Sequence, residues 1–100
     1  MYKETVVMTE MTKLATLLAK ADIPFELVAW VCNDEPTIQI CSPSRVDCLV
    51  DAVCHHFSYG GQYGYLEVMG SVNPQQPNDD VVGWLTANEA FMYFDSRPIE

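Results

Sequence analysis

The fold turns on whether Val46-Asp47-Cys48-Leu49-Val50-Asp51-Ala52-Val53-Cys54-His55-His56-Phe57 forms a helix or a strand. Read as a helix, it puts Val46, Leu49, Val50, Val53 and Phe57 on one face, and Ser44 with Asp47 resembles an N-terminal capping box. Read as a strand, it puts Val46, Cys48, Val50, Ala52 and Cys54 on one face, and Leu49 and Val53 on the other with Asp47 and Asp51. Periodicity alone favours the helix. The β-branched content and the residues that follow favour the strand. Ser58 to Tyr65 holds three of the five glycines and three of the five tyrosines, and it leads into the short apolar run Tyr65-Leu66-Glu67-Val68-Met69. Glycine admits positive φ without steric cost, so this loop has the look of a hairpin connection between two strands. The strand is the reading adopted.

Outward from this stretch the chain is easier to read. Phe25 to Val31 is rich in β-branched and aromatic residues, and Thr37-Ile38-Gln39-Ile40-Cys41 alternates cleanly, so the two make a hairpin across the polar turn 32–36. From Thr9 to Ala21, Met11, Leu14, Leu17, Leu18 and Ala21 fall at helical spacing while Lys13, Thr16 and Lys20 face away. Asp22-Ile23-Pro24 stops this helix, because the residue before proline avoids the helical region. Residues 1–8, with weak strand character at Thr5-Val6-Val7-Met8, read as an arm. On the other side, 70–80 is a loop and Val81 to Leu85 leads into Thr86-Ala87-Asn88-Glu89, whose spacing is that of a capping box. A short helix follows through Phe94, and 98–100 is a tail. The expected architecture is α+β: an antiparallel sheet of about four strands, with an N-terminal and a short C-terminal helix packed on one face. One domain over 9–97 accounts for the chain.

With 49% hydrophobic residues this chain buries a true core and is not a disordered acidic tail. No apolar run is long enough to span a membrane, and the N-terminus lacks the layout of a signal peptide. Four cysteines in such a chain point to free thiols and a reducing cytoplasm. The net charge is −9, and its distribution says more than its total. From Val46 to Ser96 there is no lysine or arginine, against seven acids: Asp47, Asp51, Glu67, Asp79, Asp80, Glu89 and Asp95. Such a surface repels nucleic acid and anionic lipid and attracts basic surfaces. Direct nucleic-acid and membrane binding are therefore not expected.

The candidates for chemistry are few. Cys48, Cys54, His55 and His56 could be drawn as a metal cluster, but zinc sites favour close Cys-x-x-Cys pairs, and none is present. Pairing Cys54 with His56, or Cys41 with His55, for thiol catalysis meets acidic surroundings that oppose a thiolate. Asp47 and Asp51 on one strand would stand about 13 Å apart, too far for direct cooperation. Gly60-Gly61-Gln62-Tyr63-Gly64 lacks the Lys-Ser/Thr of a phosphate loop. No cofactor and no catalysis are expected.

The motifs Ile23-Pro24-Phe25-Glu26-Leu27, Ile38-Gln39-Ile40-Cys41, Ser58-Tyr59-Gly60, Leu66-Glu67-Val68-Met69-Gly70 and Gly83-Trp84-Leu85-Thr86-Ala87, in that order, resemble a set of small uncharacterised proteins carried by bacterial phages and other mobile elements. The likeness spans most of 9–94, favours the strand reading of 46–57, and brings no established activity. What it implies is context, since phages make many small acidic proteins that inhibit host nucleic-acid-binding machinery. The expected function is that of a non-enzymatic, anti-CRISPR-like interaction protein in the bacterial cytoplasm. It would mimic DNA towards a basic nucleic-acid-binding host protein, with Asp47, Asp51, Glu67, Asp79 and Asp80 supplying charge and Tyr59, Tyr63 and Trp84 anchoring the contact. The alternatives are a module that sequesters a nucleotide signal and, third, a metal or thiol enzyme. The exposed edges of a small sheet also make a homodimer plausible.

Overall fold

The computed structural model describes residues 2–32, 34–55 and 58–97, without the side chains of 2–9, 32 and 35. Helix α1 (Tyr2–Lys20) is followed by strands β1 (Glu26–Cys32), β2 (Glu35–Pro43) and β3 (Cys48–Val53). A single 3-10 turn, Gly61–Tyr63, precedes β4 (Leu66–Gly70), β5 (Val81–Leu85) and helix α2 (Ala87–Phe94). The strands form one antiparallel meander in the order β1-β2-β3-β4-β5. The α+β architecture expected from the sequence is present, with five strands rather than about four. Of the stretch 46–57, expected as a strand, Cys48–Val53 is one, and 56–57 lie outside the described residues; Ile40 pairs with Ala52 and Ala52 with Val68, a row that runs across the middle of the sheet. Ile40, Val50, Ala52, Leu66 and Val68 turn one face inward against Leu14 and Leu18 of α1 and Ala90 and Phe94 of α2, all essentially buried.

Three local features differ from expectation, and each has a physical reason. Helix α1 runs back to Tyr2, so the arm expected over 1–8 is helical from Tyr2 onward. Valine and threonine cost a helix only a few tenths of a kcal/mol each, and extending an existing helix needs no new nucleus. The Ser44–Asp47 signal is real as a hydrogen bond, Asp47 N–H donating to Ser44 Oγ at 3.0 Å, but it closes the β2–β3 connection instead of starting a helix. Between Ser42 and Pro43 the register slips, so that Val50 faces Ser42 and Cys48 faces Pro43. Leu49 is thereby bulged out, and Cys48 leaves the inner face that strict alternation from Val50 would give it. The tail at 98–100 lies outside the described residues.

Both helix ends are built as the sequence suggests. Asp22 takes φ 57° just past α1, with Ile23 N–H donating to Leu18 O and Asp22 N–H to Ala19 O, the double closure of a left-handed C-terminal cap. At α2, Thr86 Oγ1 accepts from Glu89 N–H at 3.3 Å and Glu89 Oε1 from Thr86 N–H at 2.9 Å, which is the capping box. Glu10 of α1 adds a third tie by accepting from Ala87 N–H at 2.7 Å. That contact sets a carboxylate at the positive end of α2 and fixes the two helices to each other. The 71–80 loop is anchored on the opposite end of α2, where Asn73 Nδ2 donates to Met92 O and Val72 N–H to Tyr93 O. Carbonyls that the last turn leaves free are thus satisfied.

Candidate functional site

The 58–65 loop is a compact unit seated on the outer face of the sheet. Its chain folds on itself through Ser58 N–H to His55 O, Gly61 N–H to Ser58 O, and both Tyr63 and Tyr65 N–H to Gly60 O. Ser58, Gly60 and Gly61 are buried while Tyr59, Gln62 and Tyr63 are exposed. Two bonds fasten the loop to neighbouring strands: Tyr59 N–H donates to Glu67 Oε2 at 2.7 Å, and Trp84 N–H donates to Tyr59 O at 3.1 Å. The fit leaves no room for a side chain on the strand below. A Cβ on Gly83 would stand 2.1 Å from Tyr59 Cβ. Gly60 (φ +85°) and Gly64 (φ +86°) supply the left-handed turns that loop closure requires.

On this base sits an aromatic patch. The Trp84 indole stacks on the Tyr63 ring at 5.6 Å between centroids and 24° between planes, and the Tyr65 ring leans on it at 5.9 Å and 48°. Despite these contacts Trp84 is 57% and Tyr63 68% exposed, and Tyr59 stands out beside them. Trp84 also has φ 61°, a conformation that costs an L-residue roughly 1–2 kcal/mol. Its hydrogen bond to the loop and its two aromatic neighbours hold this bulky residue in that conformation.

The eight residues expected to bind a partner do not form one cluster. Tyr59, Tyr63 and Trp84 lie at the end of the sheet where β3 finishes, β4 starts and β5 finishes. Asp47, Asp79 and Asp80 lie beyond the opposite end, next to the start of β3 and of β5, roughly 15–20 Å away along the strands. All three are exposed. Between the groups, Asp51 and Glu67 are diagonal neighbours on the outer face, since Asp51 faces Met69 and Glu67 faces Val53. Asp51 and Glu67 thus form an acidic pair on the outer face, with the aromatics at one end of the sheet and the three exposed aspartates beyond the other. Tyr65 belongs to the patch although its position alone did not single it out. The signal for the seat was Gly83 directly before Trp84.

Asp51 is the strained member of the acidic pair. Burial pushes its carboxyl pKa up, and the Glu67 charge adds to the rise, against the hydrogen bonds from Gln39 Nε2 (2.8 Å) and from Met69 N–H that pull the other way. A raised folded-state pKa means that folding takes up a proton between the unfolded value of 3.8 and the folded one. The stability from this site is complete below 3.8 and is lost as pH rises through the folded-state value. Asp51→Asn keeps an acceptor for Gln39 and removes the charge. Its melting temperature should exceed that of the parent at neutral pH, and the gap should close as pH falls below 3.8. A variant less stable than the parent at neutral pH would contradict this.

The cysteine–histidine cluster does not assemble. Cys48 is exposed at the start of β3, whereas Cys54 is buried in the core past its other end. His55 packs its ring edgewise on Trp30 at 5.6 Å, and His56 lies outside the described residues. Among the described residues no three metal-ligating side chains converge. Burial pushes the Cys54 thiol up to about 11; burial, the Cys48 thiol and nearby carboxylates push Cys41 to about 12. Neither is set up as a thiolate nucleophile. No described helix is long and apolar enough to cross a membrane. No protein-family model, curated protein or solved structure matches the chain.

Proposed function

We propose that this is a non-enzymatic interaction protein that binds a basic, nucleic-acid-binding protein, in the manner of a DNA mimic. Its origin in a phage or other mobile element, and a CRISPR nuclease or other host defence protein as target, form part of the same proposal. The observation that carries it is the exposed Tyr63–Trp84–Tyr65 patch at the end of an acidic outer face, within a span that has no lysine or arginine. Tryptophan and tyrosine bury a large area at small entropic cost, and carboxylates without local counterions steer and register a basic partner. Asp51 and Glu67 on the face, with Asp47, Asp79 and Asp80 beyond its far end, stand in for backbone phosphates, and the aromatics anchor the other end. One observation favours this over capture of a nucleotide: the span 46–96 has no lysine or arginine to receive phosphate. Binding should weaken steeply as salt rises from low to physiological strength. A partner held equally well at high salt would exclude the electrostatic mechanism.

A further inference from the structure

The two edges of the sheet are guarded differently. At β5, the register with β4 is interrupted between Leu66 and Val68, Trp84 takes a left-handed conformation, and the 58–65 loop lies against the strand. These features spoil a flat ladder, as edges that resist pairing do. At β1, Glu26 to Cys32 pairs with Cys41 to Glu35 of β2 without a register shift. The run Leu27-Val28-Ala29-Trp30-Val31 has no charge and no proline, and Leu27 and Val31 are 60% and 68% exposed. On the same face as Leu27, an apolar cleft of about 560 Å³ opens between α1 and the β1–β2 hairpin, with Ala15 and Ala19 on one wall and Leu27 and Ile38 on the other.

We propose that β1 pairs antiparallel with β1 of a second copy of this chain, about a two-fold axis normal to the sheet at Ala29, so that two five-stranded sheets become one. The strand is self-complementary in this register. Leu27 meets Val31 of the second copy, Val28 meets Trp30, Ala29 meets its counterpart, and all seven residues of the strand find a partner. Moving the axis to Trp30 would instead set Glu26 against Asp34 of the second copy, bringing two carboxylates together. Charge favours this edge as well. Two chains of net charge −9 repel each other, and the uncharged run Leu27–Asn33 lets them meet without juxtaposing acids. An axis normal to the sheet keeps both α1 helices on one face, so the second copy's α1 comes to the open side of the cleft. One occupant therefore answers both the unguarded edge and the open apolar cleft. The Tyr63–Trp84 patch, at the far edge, stays free on each copy.

Sedimentation velocity on the full chain at micromolar concentration tests this, with twice the 11.3 kDa chain mass as the expected result. Added salt should tighten the dimer by screening self-repulsion, the reverse of its effect on a basic partner. Val31→Lys and Leu27→Lys each place a gatekeeper charge on a side chain that is already exposed, and should weaken dimerisation at least about tenfold with an unchanged circular dichroism spectrum. Should either variant fail to fold, hydrogen exchange on the parent protein decides: amides of 27–31 should gain protection as concentration rises. A parent that stays monomeric with concentration-independent exchange overturns the proposal. So does a dimer that survives both lysines, or a monomer that carries a small apolar molecule in the cleft.

Discussion

Gly83→Ala is expected to lower the melting temperature by roughly 5–20 °C, the equivalent of about 1–3 kcal/mol of overpacking in a domain of this size. The added methyl would meet Tyr59 Cβ at 2.1 Å and Tyr59 O at 2.7 Å, and neither is the free end of a flexible side chain. Relief requires the loop to lift from β5. That motion would break the Trp84 N–H to Tyr59 O bond and put at risk the Tyr59 N–H to Glu67 bond. Thermal denaturation followed by circular dichroism, with tryptophan fluorescence as a second probe, reads both consequences. A parent-like melting temperature would show that the loop is not seated on the sheet as described.

Trp84→Gly is expected to have the opposite profile, with a large loss of binding and a small change in stability. Glycine relieves the left-handed strain of roughly 1–2 kcal/mol, while two aromatic contacts worth about 0.5–1.5 kcal/mol each are lost. The two nearly offset, so the melting temperature should move little. Loss of a hot-spot aromatic anchor costs a complex about 2 kcal/mol or more, about 30-fold in affinity. Tyr59 and Tyr63 are separated by the same logic. Tyr59 is mostly exposed, and its backbone rather than its ring holds the loop, so Tyr59→Ala should spare the fold more than a strand-packing tyrosine would.

How much of this was legible depended on whether the deciding contact was local. The α2 capping box, the α1 stop at Asp22 and the β1–β2 hairpin rest on residues a few positions apart, and all three are present, although the strands of the hairpin extend to Cys32 and Glu35 into the turn expected over 32–36. The 46–57 stretch is a harder case, because its spacing fits a helix. Pairing with β2 on one side and β4 on the other decides it, and the periodicity of the stretch itself carries no trace of either partner. Val81 to Leu85 gave no strand pattern, since Gly83 and a left-handed Trp84 interrupt it, and its pairing with β4 comes from across the 71–80 loop. In the candidate site, the concentration of acids and of loop tyrosines could be read directly. The stacking of Tyr63 on Trp84 could not, nor the distance between Asp47, Asp79 and Asp80 and the aromatics, because both follow from the strand order.

The most direct test of the central claim is capture from a bacterial host lysate on the immobilised chain, beside an identical column carrying Trp84→Gly. The parent column should retain a basic nucleic-acid-binding protein, moderate salt or added DNA should release it, and the Trp84→Gly column should retain far less. Proteins held equally on both columns, or indifferent to salt and to DNA, would contradict it.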